Sequence, residues 1–246
     1  MEIAKRVMKD RLIIALDVPT ASKAMELVAL LRGRVGMFKV GSQLFTSAGP
    51  QLVRKISSGG DKVFLDLKLH DIPRTVTNSA LELVKMGIVM FNLHIMGGME
   101  MMQLTVKEVH HYCSVHKLRR PKILGVTVLT SLNQENFRSM GIENSVDELV
   151  VQLSLLAQEA GLDGVVASPK EIKGIRSACG RGFTIVTPGV RPFWAGADDQ
   201  KRLATPREAI KAGADYIVIG RPITGAEDPL SALERVLSEL SPLQGG

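Results

Sequence analysis

The feature that most constrains this chain is a regular alternation of short apolar runs with amphipathic stretches. The runs lie at 12–18 (LIIALDV), 35–41 (VGMFKVG), 62–68 (KVFLDLK), 88–94 (IVMFNLH), 122–129 (KILGVTVL), 164–168 (GVVAS), 183–188 (FTIVTP) and 215–220 (DYIVIG). Near-continuous apolar runs of this length are what a parallel sheet covered on both faces requires. Helix signals fall between them. Thr20 and Ser22 can cap the first helical stretch, whose residues 25–31 (MELVALL) carry the 3.6-residue apolar period. Pro73, Pro169 and Pro206 suit the first turns of the third, sixth and seventh helices, and glycines 87, 161 and 213 suit helix ends. Eight strand–helix units in 246 residues repeat about every 30 residues, the spacing of an α/β (β/α)8 barrel.

Length alone would divide a chain of 246 residues into two ordinary domains, but barrels of this kind run to about 250 residues as one. No linker or shift in composition divides the sequence, so a single barrel domain over 1–246 is expected. A doubly wound open sheet would call for a glycine-rich turn after the first strand, where this chain has Asp17-Val18-Pro19-Thr20.

Catalytic groups on such a barrel stand at the C-terminal ends of the strands. There the sequence places Asp17 on the first strand, Lys39 on the second, Asp66 and Lys68 on the third (continuing Leu69-His70-Asp71), Asn92 and His94 on the fourth, and Thr127 and Thr130 on the fifth. One such charge reads as an ion pair at the rim. Four on three consecutive strands read as a site, because burying charge is costly unless it is paired or used. Strand alternation puts Asp66 and Lys68 on one face, so Asp17, Lys39, Asp66 and Lys68 are expected to form an alternating array that keeps its lysines charged. Loops after strands seven and eight form the recurrent phosphate site of these barrels, and here they carry Pro188-Gly189-Val190-Arg191 and Gly220-Arg221. The polar segment 193–203 (FWAGADDQKRL) reads as a loop able to close over a phosphate, with Gln200 reaching inward.

The remaining features narrow the class. Aromatic residues make up 4% of the chain, which disfavours base-stacking nucleic-acid modules. The net charge of +6 comes from dispersed lysines and arginines rather than a basic face, so no nucleic-acid partner is expected. No stretch approaches the ~20 apolar residues of a membrane span, and residues 1–11 lack the core of a signal peptide, so a cytoplasmic protein with no membrane partner is expected. Cys113 and Cys179 show no metal-ligand spacing and read as reduced thiols; His110, His111, His116 and Lys117 to Arg120 read as a solvated helix end and loop.

These residues resemble the bacterial-type orotidine 5′-phosphate decarboxylases. The resemblance is carried by Leu16-Asp17, Lys39-Val40-Gly41, 64–75 (FLDLKLHDIPRT), 127–131 (TVLTS), 161–166 (GLDGVV), 187–192 (TPGVRP), Asp199-Gln200 and 218–222 (VIGRP), in order from about residue 11 to 237. It implies cofactor-independent, metal-free decarboxylation of orotidine 5′-phosphate to UMP and CO2, the last step of de novo UMP biosynthesis. In that family Lys68 would protonate C6, Asp66 would lie beside the substrate carboxylate and orient Lys68, and Asp17 and Lys39 would bind the ribose hydroxyls. Asp71 would be contributed across a homodimer interface. The substrate-contacting segment would comprise Asp66, Leu67, Lys68, Leu69, His70, Asp71, Ile72, Pro73, Arg74 and Thr75. Thr130 would lie in the nucleotide pocket, Ile72 and Pro188 would form apolar walls, and Arg191, Gln200, Gly220 and Arg221 would hold the phosphate. Arg74 and Gln43 depart from the common residues of that family, Asn and Glu, away from the chemistry. The rival reading is a Mg2+-dependent sugar-phosphate decarboxylase or aldolase on a related barrel, which shares the DxKxxD pattern. A Schiff-base lyase using Lys68 is disfavoured, because flanking acids keep the amine protonated.

Overall fold

The computed structural model describes residues 8–195 and 204–240. Eight parallel strands close into a barrel: β1 (Leu12–Ala15), β2 (Met37–Gly41), β3 (Val63–Leu69), β4 (Met90–His94), β5 (Lys122–Val126), β6 (Gly164–Val166), β7 (Thr184–Thr187) and β8 (Tyr216–Ile219), with β8 paired to β1. The helices that alternate with them are α1 (Ala21–Leu31), α2 (Ser42–Ser58), α3 (Pro73–Val84), α4 (Met99–Val115), α5 (Gln134–Ser139), α6 (Val146–Glu159), α7 (Ile172–Cys179), α8 (Pro206–Ala212), α9 (Arg221–Thr224) and α10 (Pro229–Leu240). Together they make one (β/α)8 barrel, as the strand spacing predicts.

All eight expected strands form, each within or close to its apolar run. Thr20 caps α1 by accepting the Lys23 amide, Pro73 and Pro206 open α3 and α8, and Gly213 ends α8 in the left-handed conformation. Pro169 does not open a helix. It lies in a turn, and α7 begins three residues later at Ile172. The Glu171 amide donates to the Ser168 carbonyl at 3.2 Å and its carboxylate takes the Ser168 amide at 2.8 Å, so residues 168–171 form a turn that leads into the helix.

Strand alternation divides the core in two. Ile13, Ala15, Met37, Phe64, Met90, Leu124, Val186 and Val218 fill the barrel interior. A larger cluster, including Ile14, Phe38, Leu65 and Phe91, packs the outer strand face against the helices. Lys39, Asp66 and Asn92 each follow an interior residue (Met37, Phe64, Met90) by two positions, so they continue the inward face toward the C-terminal mouth.

Charges at the opposite rim are structural. Asp163, just before β6, pairs with Arg120 through two bonds of 2.7 and 2.6 Å and accepts the Ile123 amide at 2.7 Å. Asp215, just before β8, repeats the device, pairing with Arg176 and accepting the Ile185 amide, both at 2.8 Å. Each carboxylate thereby ties a loop to the first turn of a neighbouring strand. Arg120 is therefore a half-buried tether, whereas the remainder of the basic 116–119 stretch is exposed, as expected. Cys113 and Cys179 are free and buried, and burial pushes both thiols up. Among the described residues no helix is long and apolar enough to cross a membrane.

Candidate active site at the C-terminal barrel mouth

The array expected from the sequence is continuous. Lys39 Nζ lies 3.0 Å from Asp17 Oδ1 and 3.3 Å from Asp66 Oδ2, and Lys68 Nζ lies 2.7 Å from Asp66 Oδ1. Lys39 is 8% exposed, so its charge is held by two carboxylates with little help from water. Burial by itself pushes the Asp66 carboxyl up, but the charges of Lys39 and Lys68 and hydrogen bonds from Lys68 and Asn92 outweigh it. The carboxyl is thus held below the usual carboxylate range. The close packing extends to backbone: a Cβ on Gly41 would stand 3.2 Å from Lys39 Nζ and 3.4 Å from Asp17 Oδ1.

Lys68 and Asp66 do not meet through simple strand alternation. Leu65 pairs with Phe91 and Leu69 with Leu93, so three residues of β3 face the single residue Asn92 of β4. Within this bulge Lys68 takes φ +53°, the left-handed region that costs a non-glycine residue about 1–2 kcal/mol. Asn92, completely buried, accepts the Lys68 amide at 2.8 Å and donates to Asp66 Oδ1 at 2.7 Å. Next to Lys68 the rings of His70 and His94 stand 5.2 Å apart. Burial, then His70 and Lys68, push His94 down, so it favours the neutral imidazole.

Against known proteins, the family profile described as "Orotidine 5'-phosphate decarboxylase / HUMPS family" matches residues 10–236. A protein of Syntrophotalea carbinolica named orotidine 5′-phosphate decarboxylase is 51% identical, over 95% of this chain and 96% of its own. One of Geotalea uraniireducens with the same name is 52% identical, over 96% and 98%. The solved orotidine 5′-phosphate decarboxylase of Lactobacillus acidophilus superposes with a TM-score of 0.83 at 36% identity, covering 94% of this chain and 99% of its own. The chain belongs to the orotidine 5′-phosphate decarboxylase / HUMPS family.

Of the other positions that the family resemblance singles out, the described ones lie at or after the C-terminal ends of β3, β5, β7 and β8. Asp71, Ile72, Arg74 and Thr75 are exposed and Pro73 is half-buried, at the turn that opens α3. Asp71 accepts the Ile72 amide at 2.7 Å and makes no ion pair with Lys39 or Lys68 among the described residues. Leu67 and Leu69 are half-buried, His70 and Thr130 are exposed, and Thr127 is instead buried, its hydroxyl donating to the Val166 carbonyl at 3.2 Å. Across the mouth, Val190 bridges to Ala204, and the Arg191 amide donates to the Ala204 carbonyl at 3.1 Å, which draws together the two ends of the 193–203 segment. Trp194 is anchored at the start of that segment by Arg235, 4.1 Å from its ring, while Gln200 lies outside the described residues. Gly220 comes within reach of the array: a Cβ there would lie 3.9 Å from Asp17 Oδ2, and Arg221 opens α9 immediately after it. Pro188 is half-buried directly after β7. Asn92, which the sequence reading placed at a strand end without a role, is bonded to two members of the array. Its signal was a fully polar side chain inside an apolar run, but the partner that gives it meaning appears only with the bulge.

Proposed function

We propose that this protein decarboxylates orotidine 5′-phosphate to UMP and CO2 without a cofactor, in the last step of de novo UMP formation. The observation that carries the reading is the continuous Asp17–Lys39–Asp66–Lys68 array at the mouth of a barrel of this family. Cleavage of the bond from C6 to the carboxylate leaves an electron pair at C6. The Lys68 ammonium stabilises that developing charge and then gives C6 its proton, which solvent returns to the amine. Asp66 faces the substrate carboxylate and keeps Lys68 charged and aimed. Asp17 and Lys39 bind the ribose hydroxyls. Arg191, Gln200, Gly220 and Arg221 hold the phosphate, with Thr130, Ile72 and Pro188 around the base. Binding energy from the phosphate, remote from the reacting carbon, closes the site and supports the transition state. Rate enhancements in enzymes amount to roughly 8–23 kcal/mol, more than one lysine supplies, and charges fixed in advance of reaction contribute much of the rest.

The donor set argues against the Mg2+ branch. Hard cations are held by free carboxylate oxygens and waters, whereas the carboxylates of Asp17 and Asp66 already face ammonium groups. The reading includes a cytoplasmic homodimer in which Asp71 reaches the neighbouring subunit's site. Exposure of Asp71 and of Ile72 at 67% supports this, and free buried thiols suit a reducing compartment. Purified protein with orotidine 5′-phosphate should lose the orotate absorbance equally with and without EDTA, and Lys68→Ala should nearly abolish that loss. Strict Mg2+ dependence, or no reaction, would overturn the assignment.

A further inference from the structure

Among the described residues, Asn92 is the one uncharged polar side chain that hydrogen-bonds to two members of the array. Both halves of its carboxamide are used, and their orientation is fixed by chemistry. The Lys68 amide is a donor and can meet only Oδ1. The Asp66 carboxylate is an acceptor and can meet only Nδ2. A flipped amide would set donor against donor and acceptor against acceptor. The bulge explains the need. With three residues of β3 opposite one of β4, Lys68 leaves the regular ladder, and its amide goes to the Asn92 side chain while its backbone turns left-handed. Asn92 is fully buried, so water cannot replace either bond.

We infer that Asn92 is a positioning residue for the decarboxylation: one carboxamide fixes the backbone of Lys68 and the carboxylate of Asp66 together, and so aims the Lys68 ammonium at the reacting carbon. This rests on the function proposed above. Asn92 does not touch the substrate, so its loss falls on kcat and leaves binding through the phosphate intact. A group that merely fills a bulge would change stability without this split.

Asn92→Leu removes both bonds while keeping the γ-branched shape and the number of side-chain heavy atoms. Asn92→Asp keeps the acceptor for the Lys68 amide and loses the donor to Asp66 unless its own carboxyl is protonated. The titratable groups around this point are Asp17 beyond β1, Lys39 on β2, Asp66 and Lys68 on β3, and His94 on β4 with His70 beside it. All are present in both variants, so a new limb in the pH profile of Asn92→Asp belongs to the introduced carboxyl coupled to Asp66.

The test is kcat and KM for orotidine 5′-phosphate across pH, with folding checked by circular dichroism. For Asn92→Leu, kcat should fall about 10²-fold with KM within about threefold. For Asn92→Asp, kcat should be low at about pH 8 and rise at least about tenfold toward about pH 5.5, as the protonated carboxyl again donates to Asp66, a gain the wild type does not show. An Asn92→Leu kcat within about threefold of wild type, or an Asn92→Asp profile parallel to wild type, overturns the inference while the proposed function stands. Should Asn92→Leu fail to fold, the Asn92→Asp profile decides alone. A wild-type protein inactive on orotidine 5′-phosphate overturns both.

Discussion

Lys68 sits in a backbone conformation that glycine prefers, yet its ammonium is the group that the proposed reaction uses. The strain is tolerated because Asn92 and Asp66 hold the residue at both backbone and side chain. Strained residues held by their surroundings cluster at functional sites, and this one has a direct purpose, since the left-handed turn brings Nζ back beside Asp66. Lys39 contributes differently. It stands between Asp17 and Asp66 and is the first of the charges that hold the Asp66 carboxyl down against burial. Removing it in Lys39→Met leaves burial with less opposition, so the Asp66 carboxyl rises. In the proposed reaction the ionised carboxylate is the working form, so activity is retained above its pKa and lost as pH falls through it. The acid limb of the kcat/KM profile should therefore move to higher pH in Lys39→Met, with kcat/KM at neutral pH down by about 10²-fold or more. A profile that keeps the wild-type limb would mean that Lys39 serves ribose binding alone. The spacing of Asp66 and Lys68 was legible in the sequence and led to the right pair of neighbours. The reason given, strand alternation, was incomplete, because an apolar run has no mark that distinguishes a bulge from a regular strand.

Among the elements, the strands were the most legible part of the molecule. A strand buried on both faces has to be apolar along its length, and that signal survives without any tertiary knowledge. Helix boundaries were less so. Pro169 fits a first helical turn by its fixed φ, but residues 168–171 close as a single turn through the Glu171 amide and the Ser168 carbonyl, and the regular helix begins at Ile172. Close strand approach was not legible at all. Gly164 opens β6 beside Thr184 of β7, and a Cβ on it would overlap the Thr184 carbonyl oxygen. A contact with backbone cannot be relieved by a side-chain rotation. Gly164→Ala must therefore push β6 and β7 apart, which strains a closed barrel that has no free edge to absorb the shift. We expect a loss of about 3 kcal/mol, the upper part of the range for overpacking, read from the urea midpoint of unfolding. Gly182→Ala provides a contrast for the same measurement. It has open space around the would-be Cβ and a φ outside the left-handed region.

At the scale of the whole molecule, the two rims of the barrel divide the work. Asp163 and Asp215 stitch loops to strands at one end with arginine partners, and the carboxylates at the other end pair with lysines that face an open mouth. The function proposed above adds one more acid to the array, Asp71. Asp71 follows Lys68 by three residues, yet it stands exposed at the turn that opens α3, beside the exposed Ile72. Met96 and Leu129, also exposed, lie on the loops after the next two strands of the same rim. If this rim meets a second copy and Asp71 completes the partner's site, subunits broken at different residues can repair each other. Lys68→Ala and Asp71→Ala should each form nearly inactive homodimers. Unfolding them together and refolding the mixture yields hybrid dimers in which one site has lost both groups and the other retains both. With random assortment, half of the dimers are hybrids with one good site in two, so about one quarter of wild-type specific activity should return. If Asp71 serves its own subunit, every site in every hybrid lacks one group and the mixture stays inactive. Steady-state turnover of the refolded mixture separates the two arrangements, and size-exclusion chromatography of the same sample establishes that dimers are present when it is measured.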